Sequence, residues 1–238
     1  MSQDQEPDDA DAEEQSERAR RARLEEQNRR LRRFNLDVDV CHQINGALLT
    51  EYRRAPQRGS AGGPGSYAYE GGLSELTVQL EERGYDRHDV VNLPVMVSES
   101  LKTGVVITSG DAYTGVWNAG VMPSTRYRKG GVAHHAIRAN RMPGQDVIGQ
   151  ILSREELPPV VEGLAERVDR ILGGFALYLY LFRIDWAQLE VRSEFSLPAP
   201  KQESGHIRRF LDRNAIPPYP IPEGRTPDQE AEIDFEIE

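Results

Sequence analysis

Residues 175–197 read FALYLYLFRIDWAQLEVRSEFSL, and the reading of this stretch decides the fold. From Leu189 onward the side chains alternate strictly, with Leu189, Val191, Ser193, Phe195 and Leu197 on one face and Glu190, Arg192, Glu194 and Ser196 on the other. A period of two is that of a half-buried strand. The run before it is apolar on both faces, Leu177, Leu179 and Leu181 against Tyr178, Tyr180 and Phe182, as suits a central strand. With Asp185, Trp186 and Ala187 between them, the two runs form a β-hairpin; a continuous helix over 175–190 is the alternative.

Working outward, SREE at 153–156 is a capping box, Pro158 and Pro159 fall in the first turns, and Leu157, Val161, Leu164, Val168, Ile171 and Leu172 share one face before Gly173 and Gly174. That pattern predicts a helix. On the other side, HIRRFLDRNAI at 206–216 reads as a last short helix, and PPYPIPEGRTPDQ after it as a proline-rich linker. Further upstream, VVITSG at 105–110 reads as a buried strand entering a turn, and LSELTVQLEERGY as a short helix closing on Gly84. DVVNLPVMVSESL is ambiguous because Pro94 interrupts it, and 111–144 reads as largely irregular, with a short strand or helical turn around 132–137. The mixture implies an α+β fold: a long N-terminal helix, then a mixed helix/strand body with a C-terminal β-hairpin packed on a helix.

The N-terminal third sets the domain boundaries. Residues 1–15 are too polar and charged to bury a face and are expected to be a disordered acidic tail. Residues 16–55 are rich in arginine and in helix formers, with Glu25–Arg29 and Glu26–Arg30 as i,i+4 pairs, and are expected to form a projecting helix. Steps of three and four along it select Leu24, Gln27, Leu31, Phe34, Val38, Cys41, Asn45, Leu48 and Tyr52. Such a heptad-like stripe suits docking along a second helix, with Leu24, Leu31, Phe34 and Val38 as the oligomer face. The alternative is that 39–54 packs on its own domain, Asn35, Asp37 and Asp39 marking a break. Residues 56–66, PQRGSAGGPGS, read as a glycine-rich hinge, 67–216 as the body, and 217–238 as the linker and an acidic arm.

Charge follows the same divisions. Residues 1–17 hold eight carboxylates and no base, and 223–238 hold seven carboxylates against Arg225. Since the whole chain carries −10, the body from 18 to 222 is about four charges positive. At 238 residues the chain can bury roughly 70% of its unfolded surface. No apolar run approaches a bilayer span and the acidic N-terminus is unlike a secretory leader, so the expectation is cytoplasmic, or within an assembled particle, with no membrane. Cys41 is the single cysteine, which excludes an intrachain disulfide and multi-cysteine metal sites; its place among apolar helical positions predicts a buried, inert thiol.

No acidic residue occurs from Ala112 to Gln145, and that window contains RYRKGGVAHHAIRANR. Arg126, Arg128, Lys129, Arg138 and Arg141, with Tyr127 available to stack, are the residue types of a phosphate or nucleic-acid surface. The neighbouring SGDAYTGVWNAG adds Trp117 and Asp111 on a loop after a strand, a common place for ligands. His134 and His135 are adjacent, and neighbours on a strand or helix diverge too far to share one metal. They, with Asp111, are the catalytic candidates; no metal and no cofactor are expected. The tail EAEIDFEIE alternates acidic and apolar residues, placing Ile233, Phe235 and Ile237 on one side as a segment for docking on a neighbour.

The leading expectation is therefore a non-enzymatic assembly or adaptor subunit that associates with itself or a neighbouring subunit through the N-terminal helix and C-terminal arm. A nucleic-acid or phosphate binder using 126–141 is the second, its anionic partner being nucleic acid or an acidic tail. A small hydrolase-like enzyme built on His134 or His135 with Asp111 is the third.

Overall fold

The computed structural model describes residues 9–56, 63–90, 93–117, 120–138, 140, 162–202 and 205–222. Its elements are α1 (Asp9–Leu31), a 3-10 turn (Arg32–Phe34), α2 (Val38–Arg54), α3 (Gly63–Glu81), β1 (Asp86–Val90), β2 (Leu93–Ser98), β3 (Thr103–Ser109), α4 (Gly131–Ile137), α5 (Glu162–Leu172), β4 (Ala176–Asp185), β5 (Glu190–Pro198) and β6 (Phe210–Pro220). The fold is α+β, with one six-stranded mixed sheet in the order β1-β2-β3-β4-β5-β6. Only β3 and β4 run parallel; the other four pairs are antiparallel. A parallel pair requires a crossover, and α4 and α5 belong to it.

The sheet separates two cores. On one face α2, α3 and the end of α1 cover Met96, Val105, Ile107, Tyr178, Tyr180, Phe182, Phe195 and Ile216. Its centre is aromatic: Phe34 meets Tyr178 edge-on at 4.7 Å and stacks on Phe195 at 5.1 Å, and Tyr180 meets Phe195 at 5.1 Å. On the other face Ala136, Ile137, Val168 and Leu172 pack on Val95, Val106, Leu177, Leu179 and Leu181. The two-faced strand read from 177–182 is thus β4, and it is hairpin-paired with β5. The buried hydroxyl of Tyr180 lies within hydrogen-bond reach of two acceptors on α2, the Cys41 carbonyl (3.1 Å) and Asn45 Oδ1 (2.9 Å), tying α2 across the hairpin. Burial pushes the Cys41 thiol far above its ordinary range, leaving it inert.

Several boundaries differ from the sequence reading. The expected single helix 16–55 is two helices: Asn35 turns left-handed (φ 57°), and Asp37 caps α2 by accepting from the Val40 amide at 2.9 Å. The stripe marks burial from Leu31 to Leu48, with Leu31, Phe34 and Val38 in the core of the same chain instead of on an exposed oligomer face; Leu24 is exposed, and Gln27 and Tyr52 are half-buried. Helix begins at Asp9, inside the segment expected to be disordered, and residues 1–8 lie outside the described part. Of the expected hinge, 63–66 is already α3. That helix approaches α2 so closely at Gly72 that a Cβ there would overlap the Leu48 side chain.

The ambiguous 89–101 stretch resolves into the end of β1 and β2, and 131–137 is helical. The helix before the hairpin is α5, ending at Leu172 just before Gly173; its expected capping box at Ser153, with Leu157, Pro158, Pro159 and Val161, lies outside the described residues.

The clearest correction is at 206–220. The expected short helix and the start of the linker are β6, paired with β5 from Phe210 to Pro220. Local propensity lost to sheet pairing, and Pro217, Pro218 and Pro220 are tolerated because an edge strand has one side with no ladder to feed. Gln27 donates to the Ala215 carbonyl at 3.0 Å and the His42 ring meets the Pro217 carbonyl at 2.9 Å. Helices α1 and α2 therefore occupy acceptors along this edge. Among the described residues no helix is long and apolar enough to cross a membrane.

Candidate functional site

The loop following β3 leaves and returns at one point. The Gly110 amide donates to the Phe182 carbonyl at 2.8 Å, Asp111 to Ser124 at 2.9 Å, and Arg126 to Ser109 at 3.0 Å, so 110 and 125 are bridged as in a sheet. Thr125 and Ile207 bond through the Thr125 amide (3.0 Å) and the Thr125 hydroxyl (3.1 Å). Between these ends the loop lies over β5. Gly115 has φ +70°, and a Cβ there would press on the Ser193 backbone at 3.1 Å. Only glycine meets both demands easily.

A buried ion pair fixes the loop. Glu194 has 0% exposure, and its carboxylate accepts from the Gly115 amide (2.9 Å), the Ser196 hydroxyl (2.5 Å) and two nitrogens of Arg213 (2.6 and 3.2 Å). Arg213 directs two of its three other N–H donors at the loop carbonyls of Val121 (2.9 Å) and Val116 (3.3 Å). A buried carboxylate is tolerated only when its lone pairs are used, and here each oxygen has two donors. The alternation at 189–197 placed Glu194 and Ser196 on a solvent face; the loop covers that face, so both are buried.

What the clamp displays is apolar and aromatic. Tyr113 (51%), Trp117 (69%), Met122 (53%) and Tyr127 (46%) are four of the eight large hydrophobic residues exposed among the described residues. Arginines accompany them: the Arg30 guanidinium of α1 lies 5.4 Å from the Trp117 ring centre, and that of Arg126 lies 5.8 Å from Tyr127. Both lie within cation–π range.

The basic cluster continues from this loop. Arg126 and Arg128 are exposed, Arg138 ends α4, and none of the three forms an ion pair among the described residues; Arg141 lies outside them. Lys129 is half-buried, with its ammonium donating to the Thr108 hydroxyl on β3, and desolvation pushes its pKa down to about 8. Its amide donates to the Gly205 carbonyl (2.6 Å), which the His134 ring also meets (3.2 Å).

The catalytic candidates have separate partners. His134 is turned to Gly205, whereas His135 meets Asp169 of α5 at 2.8 Å, as residues about 100° apart on a helix must diverge. Asp111 accepts from the Tyr113 amide at 3.0 Å in a local turn, and no hydrogen bond among the described residues joins it to either histidine. No group of three His, Cys, Asp or Glu side chains placed to hold a metal occurs among the described residues. A shallow, open groove of about 400 Å³ between α2 and α3 is lined by Glu51, Glu70 and Glu75 with Tyr67. Ile233, Phe235 and Ile237 lie outside the described residues.

Of the residues named from the sequence, Trp117, Arg126 and Arg128 are exposed; the Glu194–Arg213 clamp and the exposure of Tyr113 and Met122 were not read from it. Comparison with protein-family models, with curated proteins and with solved structures finds no match to this chain.

Proposed function

We propose that this protein is a non-enzymatic binder of single-stranded nucleic acid, using the 110–138 region. The observation that carries the reading is the combination on one clamped loop and its continuation: exposed Trp117 and Tyr127, each attended by an arginine, followed by arginines that form no ion pair among the described residues. Arg126, Arg128, Lys129 and Arg138 would neutralise phosphates, and Trp117 and Tyr127 would stack bases. Because the loop is held by the Glu194–Arg213 pair, little ordering would be needed on binding.

The test is fluorescence anisotropy of a labelled oligothymidylate at low salt with the full chain. Binding is expected, and Trp117→Ala is expected to weaken it about 5- to 150-fold, the 1–3 kcal/mol of one stacked base. No binding by either protein at low salt would reject the reading.

A second reading is an assembly or adaptor subunit that docks a protein partner on the same loop. It is favoured by composition: tryptophan, tyrosine, methionine and arginine are the residues enriched at protein interfaces. Light scattering that gives an oligomer of defined mass, reduced to monomer by Trp117→Ala, is its expected outcome.

A further inference from the structure

The chain has a basic, aromatic loop face in its body and an acidic, apolar alternation at its end. From Ala112 to Gln145 there is no carboxylate, while EAEIDFEIE at 230–238 sets five carboxylates between Ala231, Ile233, Phe235 and Ile237. The complementarity is double. Arg126, Arg128 and Lys129 call for carboxylates, and Trp117, Tyr113 and Met122 call for apolar cover.

The end of the described chain lies near this loop along the sheet but leaves it on the other face. There Ile221 is buried in the core beneath α2 and α3 and the Pro222 carbonyl accepts from Arg53 of α2, so 223–229 would have to round the β6 edge. Strand β6 leaves the sheet at Pro220, which pairs with Glu190, and the Ile221 amide then donates to the Leu189 carbonyl at 2.8 Å. The loop crosses the same strand β5 two to four residues further along, where Arg192 donates to the Ala112 carbonyl and Gly115 to Glu194. At about 3.3 Å per residue that separation is about 7–13 Å. Residues 223–229 intervene between Pro222 and the alternating segment and can extend to about 25 Å. A tether this short gives an effective concentration on the order of millimolar, which favours the chain's own segment over one from another copy.

We infer that residues 230–238 cover the loop face of their own chain, and that a nucleic acid must displace them to bind. The inference rests on the nucleic-acid reading for the identity of the competitor, but not for the cover itself. It makes the acidic arm a regulator of affinity: an anionic segment with the charge pattern of a competitor, permanently held beside the site.

The experiment uses the full chain with p-benzoylphenylalanine in place of Trp117, irradiated at low micromolar concentration, with adducts mapped by mass spectrometry. Adducts to 230–238 at monomer mass are expected, and are expected to disappear in the variant E232Q/D234N/E236Q/E238Q. The same four substitutions in the wild-type background should tighten oligothymidylate binding at least 10-fold. Adducts only elsewhere in the chain, or none, overturn the inference. Adducts to 230–238 at dimer mass also overturn it, since the segment would then be donated between copies. If monomer adducts form but neither chain binds the oligonucleotide, the cover stands and the nucleic-acid reading falls.

Discussion

Two neighbours on β5 face opposite worlds. Phe195 is fully buried in the aromatic core beneath α1–α3, and Glu194 is equally buried on the other face beneath the 110–125 loop. The first is held by shape, in contact with Phe34 and Tyr180; the second by donors, from Gly115, Ser196 and Arg213. The apolar side builds the fold, and its partners are interchangeable within volume. The polar side builds a display platform, and it works only when every partner is present.

That contrast can be broken most strongly at the two positions themselves. Phe195→Ala should cost about 3–5 kcal/mol through the cavity it leaves. Glu194→Ala should cost up to a similar amount, about 3–5 kcal/mol, because Arg213, only 16% exposed, is left without its counter-ion. Urea denaturation followed by circular dichroism measures both. The distinction appears on replacing both charges: E194L/R213M should recover most of the stability, since apolar replacement of a buried pair is often neutral or better, yet should not recover oligonucleotide binding. Recovery of both would mean that the clamp does not position the loop.

A smaller effect is expected at Lys129. Its folded-state pKa is held at about 8, against an ordinary 10.5, by desolvation. Between those values the unfolded chain binds more protons than the folded one, so stability should rise as pH increases across that window. Below about 8 the cost is constant, and Lys129→Met should relieve it at pH 7 and flatten the rise. Urea midpoints at pH 7 and pH 9 for both proteins check this. Oligonucleotide affinity should also fall as pH passes through the same range, because one phosphate partner loses its charge.

The sequence made the apolar half of this contrast readable and hid the polar half. The hairpin at 175–197 was legible because both runs carry their burial in their spacing, and Val168 with Leu172 likewise announced the helical face beneath β4. The stripe from Leu31 to Leu48 named buried positions correctly, but a period cannot say whether the partner is another chain or the same one. Strand β6 was illegible because RRFLDRN has helix-compatible residues and gains its strand from pairing with β5. Glu194 was illegible for a related reason: on alternation alone it belongs to solvent, and what buries it is a loop about eighty residues away in sequence. The basic cluster could be seen from composition; its continuity with a clamped aromatic loop could not.

The most direct test of the binding face is the salt dependence of oligothymidylate affinity, measured for the full chain and for Arg126→Ala/Arg128→Ala. The expected result is a linear fall of log K with log salt in the wild type, and a slope shallower by about 1.4 in the double variant, two phosphate contacts on a single strand. Equal slopes, or an affinity indifferent to salt in both proteins, would contradict the assignment of these arginines to a nucleic-acid backbone.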